Sequence, residues 1–363
     1  DAQTPAIILP LPKPLPKEEK SASRPETSFF KIASGSTAGS YFATGERIAG
    51  LISHPPGAEH CSDAKRCGPR GMFAVAQNSD GAIVNIRAVN DGSLASGLAP
   101  ADLLQDAYEG RGLFAQNAPL TQLRVITALY PEALHLVVAK NASITNVGDL
   151  KGMRISFGPV GSGSHTYAEQ LIAKSGLTQD ITMETLDLYD AAEQLLSGDL
   201  DAFFYLGGVP VPIIQDILTT GEVKLIPITG TPVASFYDEK PFTEPFILSG
   251  LTYPNTPQIE TIASTAYWVV NADISQERVY RITAALWHED NQSQLRAEDG
   301  LLSGLDKDFA LRDLPIPLHP GAERFYQEAG FFAPPADLVI TGSIPSEENI
   351  ELQETDATDE TLP

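Results

Sequence analysis

Gly158-Pro159-Val160-Gly161-Ser162-Gly163-Ser164-His165 follows the short apolar run Arg154-Ile155-Ser156-Phe157 and opens an amphipathic stretch from about Thr166 to Lys174. A glycine-rich turn between a strand and a helix leaves backbone N–H groups and small hydroxyls at the helix N-terminus. Phosphate or carboxylate sits readily at such a terminus. A second turn of similar make-up, Gly35-Ser36-Thr37-Ala38-Gly39-Ser40-Tyr41, follows the strand-like run Phe29-Phe30-Lys31-Ile32-Ala33 and precedes a helical stretch from Tyr41 to Ile52. Two such loops, far apart in the chain, predict a ligand gripped between two lobes.

The pattern repeats outward from these loops. Phe73-Ala74-Val75-Ala76 reads as a strand, Ser79-Asp80-Gly81 as its turn, and Ile83, Ile86 and Val89 as one face of the next helix. Leu123–Leu129 and Leu134–Ala139 read as two buried strands, and Leu200–Tyr205 as another before the turn Leu206-Gly207-Gly208-Val209-Pro210. Repeated strand–turn–helix units predict an α/β fold with a parallel sheet and ligand loops at the strand carboxyl ends.

The 363 residues allow two domains of ordinary size. With 42% hydrophobic and 20% charged residues, a packed core is expected rather than disorder. No apolar run approaches the roughly 18 residues of a membrane span. The formal net charge of −23 argues against nucleic-acid binding, because no basic stripe is present to meet phosphates. A bound anion must therefore be held by local dipoles against an unfavourable overall field.

The two cysteines, Cys61 and Cys67, lie close together in a polar loop and predict one small disulfide, hence an oxidising compartment. His54 and His60 nearby leave a Cys/His zinc site as the alternative, although the spacing fits no standard zinc pattern. The chain starts at Asp1 rather than methionine, as it would after removal of a signal peptide or after trimming. Residues 1–28 form a Pro-rich leader able to act as a spacer or tether, and residues 336–363 an acidic, solvated tail.

Several segments, taken in order, resemble the TAXI family of periplasmic solute-binding proteins, which serve tripartite ATP-independent (TRAP) transporters. They are Ala33-Ser34-Gly35-Ser36-Thr37-Ala38-Gly39-Ser40-Tyr41; Cys67-Gly68-Pro69-Arg70-Gly71 leading to Ala76–Asn85; Asp149–Ile155 with the Gly158 loop; Asp201–Phe204 with Gly207-Gly208-Val209-Pro210; Leu251-Thr252-Tyr253-Pro254; and Leu314–Ala322. The resemblance covers about residues 29–333. It implies a two-lobed, type II periplasmic binding-protein fold with two interlobe crossovers, near 128–133 and 246–254, and a central ligand cleft. Lobe 1 would be residues 29–130 plus 254–335 and lobe 2 residues 131–253. It also implies a small organic acid or amino acid (a dicarboxylate, a 2-oxo acid or a glutamate-like ligand) delivered to a TRAP permease from the periplasm, with no cofactor and no chemistry. Two departures stand out: the family often has Arg where this chain has His165, and Gln-Ser-Asp where it has Pro100-Ala101-Asp102. A titrating imidazole is a weaker, pH-sensitive substitute for a fixed cation.

In the first lobe the candidate ligand-binding residues are Ser36, Thr37, Tyr41, Ser79 and Asn85. Helix capping by Thr37, core packing by Tyr41 and loop anchoring by Asn85 are the structural alternatives. In the second lobe Gly161, Ser162, Gly163, Ser164 and His165 would supply N–H and hydroxyl donors, unless the loop is only a turn. Gly207 and Gly208 would admit close backbone approach, and Tyr205 and Tyr253 could form walls with a polar tip or ordinary core.

Enzyme readings fail on the same residues. Gly158–His165 approaches the phosphate-binding G-x-x-x-x-G-K-[ST] pattern, but Ser164 stands where the lysine should be. There is no G-x-S-x-G elbow around Ser162 or Ser164, and the six histidines include no H-E-x-x-H pair. No catalytic or metal-ligating residue is assigned. The alternative function is a periplasmic sensor that presents its closed form to a signalling receptor.

Overall fold

The computed structural model describes residues 27–332, apart from 59–60, 62–64, 117, 251, 254–255 and 298–299. The acidic tail, and the leader up to residue 26, lie outside the described residues, as does His60. The strands are β1 (Ser28–Ala33), β2 (Met72–Gln77), β3 (Ser96–Pro100), β4 (Leu123–Ala139), β5 (Arg154–Ser156), β6 (Thr182–Glu184), β7 (Ala202–Gly208), β8 (Val223–Leu225), β9 (Glu244–Leu248) and β10 (Ile259–Asn271). The helices that concern the site are α1 (Ser40–Ile52), α2 (Ala82–Asn90), α3 (Ala101–Glu109), α4 (Gly163–Lys174), α5 (Leu188–Ser197), α6 (Pro212–Thr219) and α7 (Thr231–Glu239). Four more follow β10: α8 (Gln276–Leu286), α9 (Glu289–Ala297), α10 (Lys307–Ala310) and α11 (Pro320–Glu328).

The strands join in the order β2-β1-β3-β10-β4-β7-β5-β6, with β8 on β4 and β9 on β10. The pairs β1–β2, β1–β3, β5–β6 and β5–β7 are parallel, as expected of strand–turn–helix units. The expectation of a wholly parallel sheet is corrected at its centre, where β10 runs antiparallel to β3 and β4, and β4 antiparallel to β7. The chain passes between its two halves in extended strands rather than through a helical crossover. That reverses strand direction there.

Leu123–Leu129 and Leu134–Ala139 accordingly fuse into the single strand β4. Its residues up to Pro131 pair with β10, with one parallel bridge from Val125 to Leu318; beyond Ala133 they pair with β7 and, from Val137, with β8. The expected turn at Leu206–Pro210 is shortened because β7 continues through Gly208. A Cβ there would lie 2.6 Å from the Tyr130 ring, so glycine is what lets β7 reach the centre of the sheet.

Apolar side chains collect into two pairs of clusters, one pair in each half. In the first half, Phe30, Ile48, Trp268, Ile282 and Tyr326 fill one face of the sheet, and Ile86, Leu104, Val125 and Tyr267 fill the other. In the second half, Leu136, Tyr167, Phe204 and Phe236 lie on one face, and Val137, Leu195, Phe203 and Ile214 on the other. Each half is therefore an α/β/α sandwich, as expected when both faces of a sheet must be covered. Leu248, Tyr253 and Ile259 pack in the second half, whereas Ala266 and Trp268 pack in the first. The change of core along β10 falls between Ile262 and Ala266. No helix among the described residues is long and apolar enough to cross a membrane.

Cys61 and Cys67 form the disulfide, with Cα atoms 5.4 Å apart, so these thiolates are not zinc ligands. Closing so short a loop removes about 2 kcal/mol of denatured-state freedom in the chain-entropy picture. Urea denaturation with and without a reductant should register a loss of that order. An unchanged midpoint would show that the link constrains nothing the reduced chain does not already hold.

Candidate functional site

A cavity of about 370 Å³ lies where the two halves meet. The N-terminal ends of α1, α2, α4 and α5 all reach its wall, through Gly39 and Ser40, Gly81 and Ala82, Ser162 and Gly163, and Asp187 and Leu188. Two of these helices belong to each half. Among the described residues the wall contains no Lys, Arg or His, and its carboxyl groups are those of Asp80, Glu132 and Asp187. Each helix start turns the positive end of its dipole, roughly half an elementary charge, toward the wall, against the carboxyl groups of Asp80, Glu132 and Asp187.

Local sequence explains how each loop reaches the wall. Gly39 precedes α1 in an extended conformation and no side chain caps that helix. Ser79 accepts from the Gly81 N–H at 3.2 Å, and its hydroxyl donates to Asn85 Oδ1 at 2.6 Å. The Ser162 hydroxyl caps α4 by accepting from the His165 N–H at 3.1 Å. Asp187 caps α5 by accepting from the Asp190 N–H at 3.0 Å.

The halves touch around this cavity. The Ile83 N–H donates to Gly161 O at 3.0 Å, and Gly208 N–H to the Ser40 hydroxyl at 3.2 Å. Ser40 N–H donates to the Tyr205 hydroxyl at 3.3 Å. Gly81 sits at φ +115°, and a Cβ there would lie 2.8 Å from Ser162 Cα, so this approach requires glycine. Beside the cavity, Tyr167 donates to Asp102 at 2.6 Å, and the Lys240 ammonium bridges Asp102 and Asp106 at 3.1 and 3.0 Å. Burial pushes the Lys240 ammonium down, but Asp102 and Asp106 outweigh it and hold the group above its ordinary value.

Ser36, Thr37, Tyr41, Ser79, Ser162, Gly163, Ser164 and Tyr205 are brought together on the cavity wall. The remaining sequence candidates stand off it. Asn85 is fully buried and its amide donates to Ser34 O at 2.5 Å and Leu98 O at 2.8 Å, so it anchors the loop. Gly161 makes the contact to α2. The His165 imidazole turns back to Gly158 O at 3.3 Å and stacks edge-on against Phe157. Gly207 and Gly208 lie within β7. Tyr253 is fully buried, accepts from Val211 N–H at 3.0 Å and donates to His135 Nε2 at 2.8 Å. His135 Nδ1 in turn lies 3.2 Å from Tyr205 O, and this set of partners fits the neutral Nδ1–H tautomer.

The wall also includes Ser40, Ser156, Asp187, Phe203 and, above all, Glu132, none of which the sequence had singled out. Glu132 is 2% exposed and accepts from the Tyr41 hydroxyl at 2.8 Å. Its signal was visible as the one acidic residue inside the largely apolar run of β4.

Burial pushes the Glu132 carboxyl up to about 8; the Tyr41 hydrogen bond opposes this and Asp102 adds to it. Burial pushes His135 down to about 4, against its bonds to backbone carbonyls. From pH 6.5 down to about 4 the unfolded chain takes up a proton that folded His135 refuses, so stability falls as pH falls. From pH 4.5 up to about 8 folded Glu132 keeps a proton the unfolded chain has lost, so its contribution falls as pH rises. Denaturation midpoints measured across this range should show both effects, and Glu132→Gln should remove the second. An alkaline decline that persists in that variant would assign it to another group.

A sequence profile of the NMT1-like family matches residues 32–330. Among solved structures, the chain is similar to periplasmic binding protein BugD, at 14% identity over 85% of this chain and 99% of that one, with TM-score 0.49. It is also similar to MatC from Rhodopseudomonas palustris with bound malate, at 15% identity over 83% and 96% of the two chains, TM-score 0.45. A third likeness is to the periplasmic aliphatic sulphonate binding protein SsuA from Escherichia coli, at 16% identity over 85% of each chain, TM-score 0.42.

Proposed function

The chain belongs to the NMT1-like family, and from that premise we propose that it is an extracytoplasmic solute-binding protein that captures a small organic anion between its two halves. The convergence of helix N-termini from both halves on one cavity supports this most. A carboxylate seated there would accept from N–H groups of both halves at once and so favour their contact. The hydroxyls of Ser36, Thr37, Ser79, Ser162 and Tyr205 would complete its coordination. A cavity of about 370 Å³ suits a small ligand. The Cys61–Cys67 disulfide agrees with an oxidising compartment such as the periplasm.

In this proposal residues 29–130 with 264–332 form one lobe and residues 133–262 the other, and they hinge where β4 and β10 pass between them. The ligand is a dicarboxylate, a 2-oxo acid or a glutamate-like amino acid, held without being transformed. The recipient, on the resemblance of the glycine loops to the TAXI family, is a TRAP permease that docks the closed form. Glu132 and Tyr205 take the place of His165 in meeting the ligand, because the imidazole faces its own loop.

A thermal-shift screen against C2 to C6 mono- and dicarboxylates, 2-oxo acids and acidic amino acids tests the proposal. One chemical class should stabilise the protein by about 2.7 kcal/mol at 100 times its Kd, a rise of several degrees in Tm. A protein refolded from denaturant to remove retained ligand, and still unmoved by the whole panel, would contradict it.

A further inference from the structure

Resting on that reading of the cleft, we propose that Glu132 selects the ligand by binding it as a neutral carboxylic acid, donating a hydrogen bond to a carboxylate of the ligand. The selected class is then an organic anion that places a carboxylate against Glu132, not one that places an ammonium there. Capture of the ligand becomes linked to retention of one proton.

The geometry leads to this assignment. Glu132 lies at the residue where β4 changes partners, opposite Ser264 of β10 and Gly208 of β7. It is 2% exposed yet forms part of the cavity wall, and in this proposal its carboxyl group meets the occupant. One oxygen, Oε2, accepts from the Tyr41 hydroxyl at 2.8 Å. Among the described residues the wall around it has no Lys, Arg or His to compensate an ionised carboxylate. The nearby ammonium, Lys240, is held by Asp102 and Asp106. An ionised Glu132 would be a buried, uncompensated charge, and such a group keeps its proton instead.

Of the groups that face Glu132 from the surrounding elements, Tyr41 favours the ionised form through its hydrogen bond, and burial and Asp102 oppose it. Tyr41 on α1, Tyr130 on β4, Tyr167 on α4 and Tyr205 on β7 are phenols whose own ionisation is pushed upward, so they remain neutral. Asp102 on α3 contributes negative charge and further disfavours the ionised form of Glu132. With Oε2 accepting from Tyr41, the proton on the other oxygen is available to the ligand. A ligand carboxylate then accepts from the helix N-termini and from Glu132 together, whereas an ionised Glu132 would repel it. A carboxylic acid kept neutral in an apolar site so that it can donate has ample chemical precedent.

The test measures the Kd of acetate, succinate and glutamate by calorimetry at pH 7 and pH 9, for the wild-type protein, Glu132→Gln and Glu132→Ala. Acetate and succinate have no group that titrates over this range, so a change in their affinity reports the protein, whereas the glutamate ammonium begins to lose its proton toward pH 9. The proposal expects the wild-type protein to bind at least one probe, with affinity falling about tenfold from pH 7 to pH 9 as Glu132 ionises. Glu132→Gln, which retains a neutral donor, should lose this pH dependence, and Glu132→Ala should bind more weakly at both pH values. Binding that strengthens toward pH 9, or binding of glutamate alone that Glu132→Gln abolishes, would make Glu132 an ionised partner for an ammonium and overturn the proposal. A pH dependence unchanged in Glu132→Gln would overturn it too. Failure of all three probes to bind the wild-type protein would instead strike the small-anion reading of the cleft, and this inference with it.

Discussion

The antiparallel pairing of β4 with β10, from Leu123–Asn271 to Ala133–Ala263, is the constraint on which the rest of the molecule depends. These two strands are shared by both halves. Their outer ends are committed by burial: Val125 and Trp268 to the first core, Val137 and Ile259 to the second. A one-residue slip in either strand would turn these side chains to the wrong faces in both halves at once, so the register is strongly fixed. Two interruptions in the pairing, near Ala266–Tyr267 and Trp268–Val269, add local twist at the passage. The strand ends that carry the glycine loops therefore converge on one place, and the cavity forms where they meet.

Electrostatics at that place differ from those of the chain as a whole. With a net charge of −23, the protein repels anions at long range. The local field of a helix start is worth roughly 0.3–1 kcal/mol, and up to about 2 in partly buried geometries, so several acting together can outweigh the distant charges that salt screens. Backbone dipoles also avoid the desolvation cost of holding an unpaired cation in an empty cleft. Glu132 fits the same logic, since a neutral acid costs far less to bury than a carboxylate. In the Asp102–Lys240–Asp106 group, by contrast, the ammonium is set between two carboxyl groups. It ties α3 to the end of α7, one from each half.

Much of this was legible in the sequence. The loops at Gly35 and Gly158 announced themselves by composition, and both reach the cavity wall at the join of a strand end and a helix start. The α/β class followed from the same alternation. What the sequence hid were relations between distant residues. Nothing in Leu123–Ala139 marks it as one strand serving two halves, because a buried apolar run looks alike on either side of the passage. Asn85 has the polarity of a ligand contact, but its carbonyl partners, Ser34 and Leu98, come from other strands. Tyr253 and His135 likewise satisfy one another across 118 positions. Glu132 was the clearest missed signal, the one acid in a largely apolar strand, and it lies on the wall of the cleft.

The central claim is that the two halves close on the ligand, and small-angle scattering of the whole chain tests it most directly. Profiles would be recorded on protein freed of retained ligand, and again at saturation with the carboxylate that stabilises it most. The account predicts a smaller radius of gyration on saturation, as the α1, α2, α4 and α5 termini are drawn together. Superimposable profiles at proven saturation would contradict it, leaving a cleft that binds without closing.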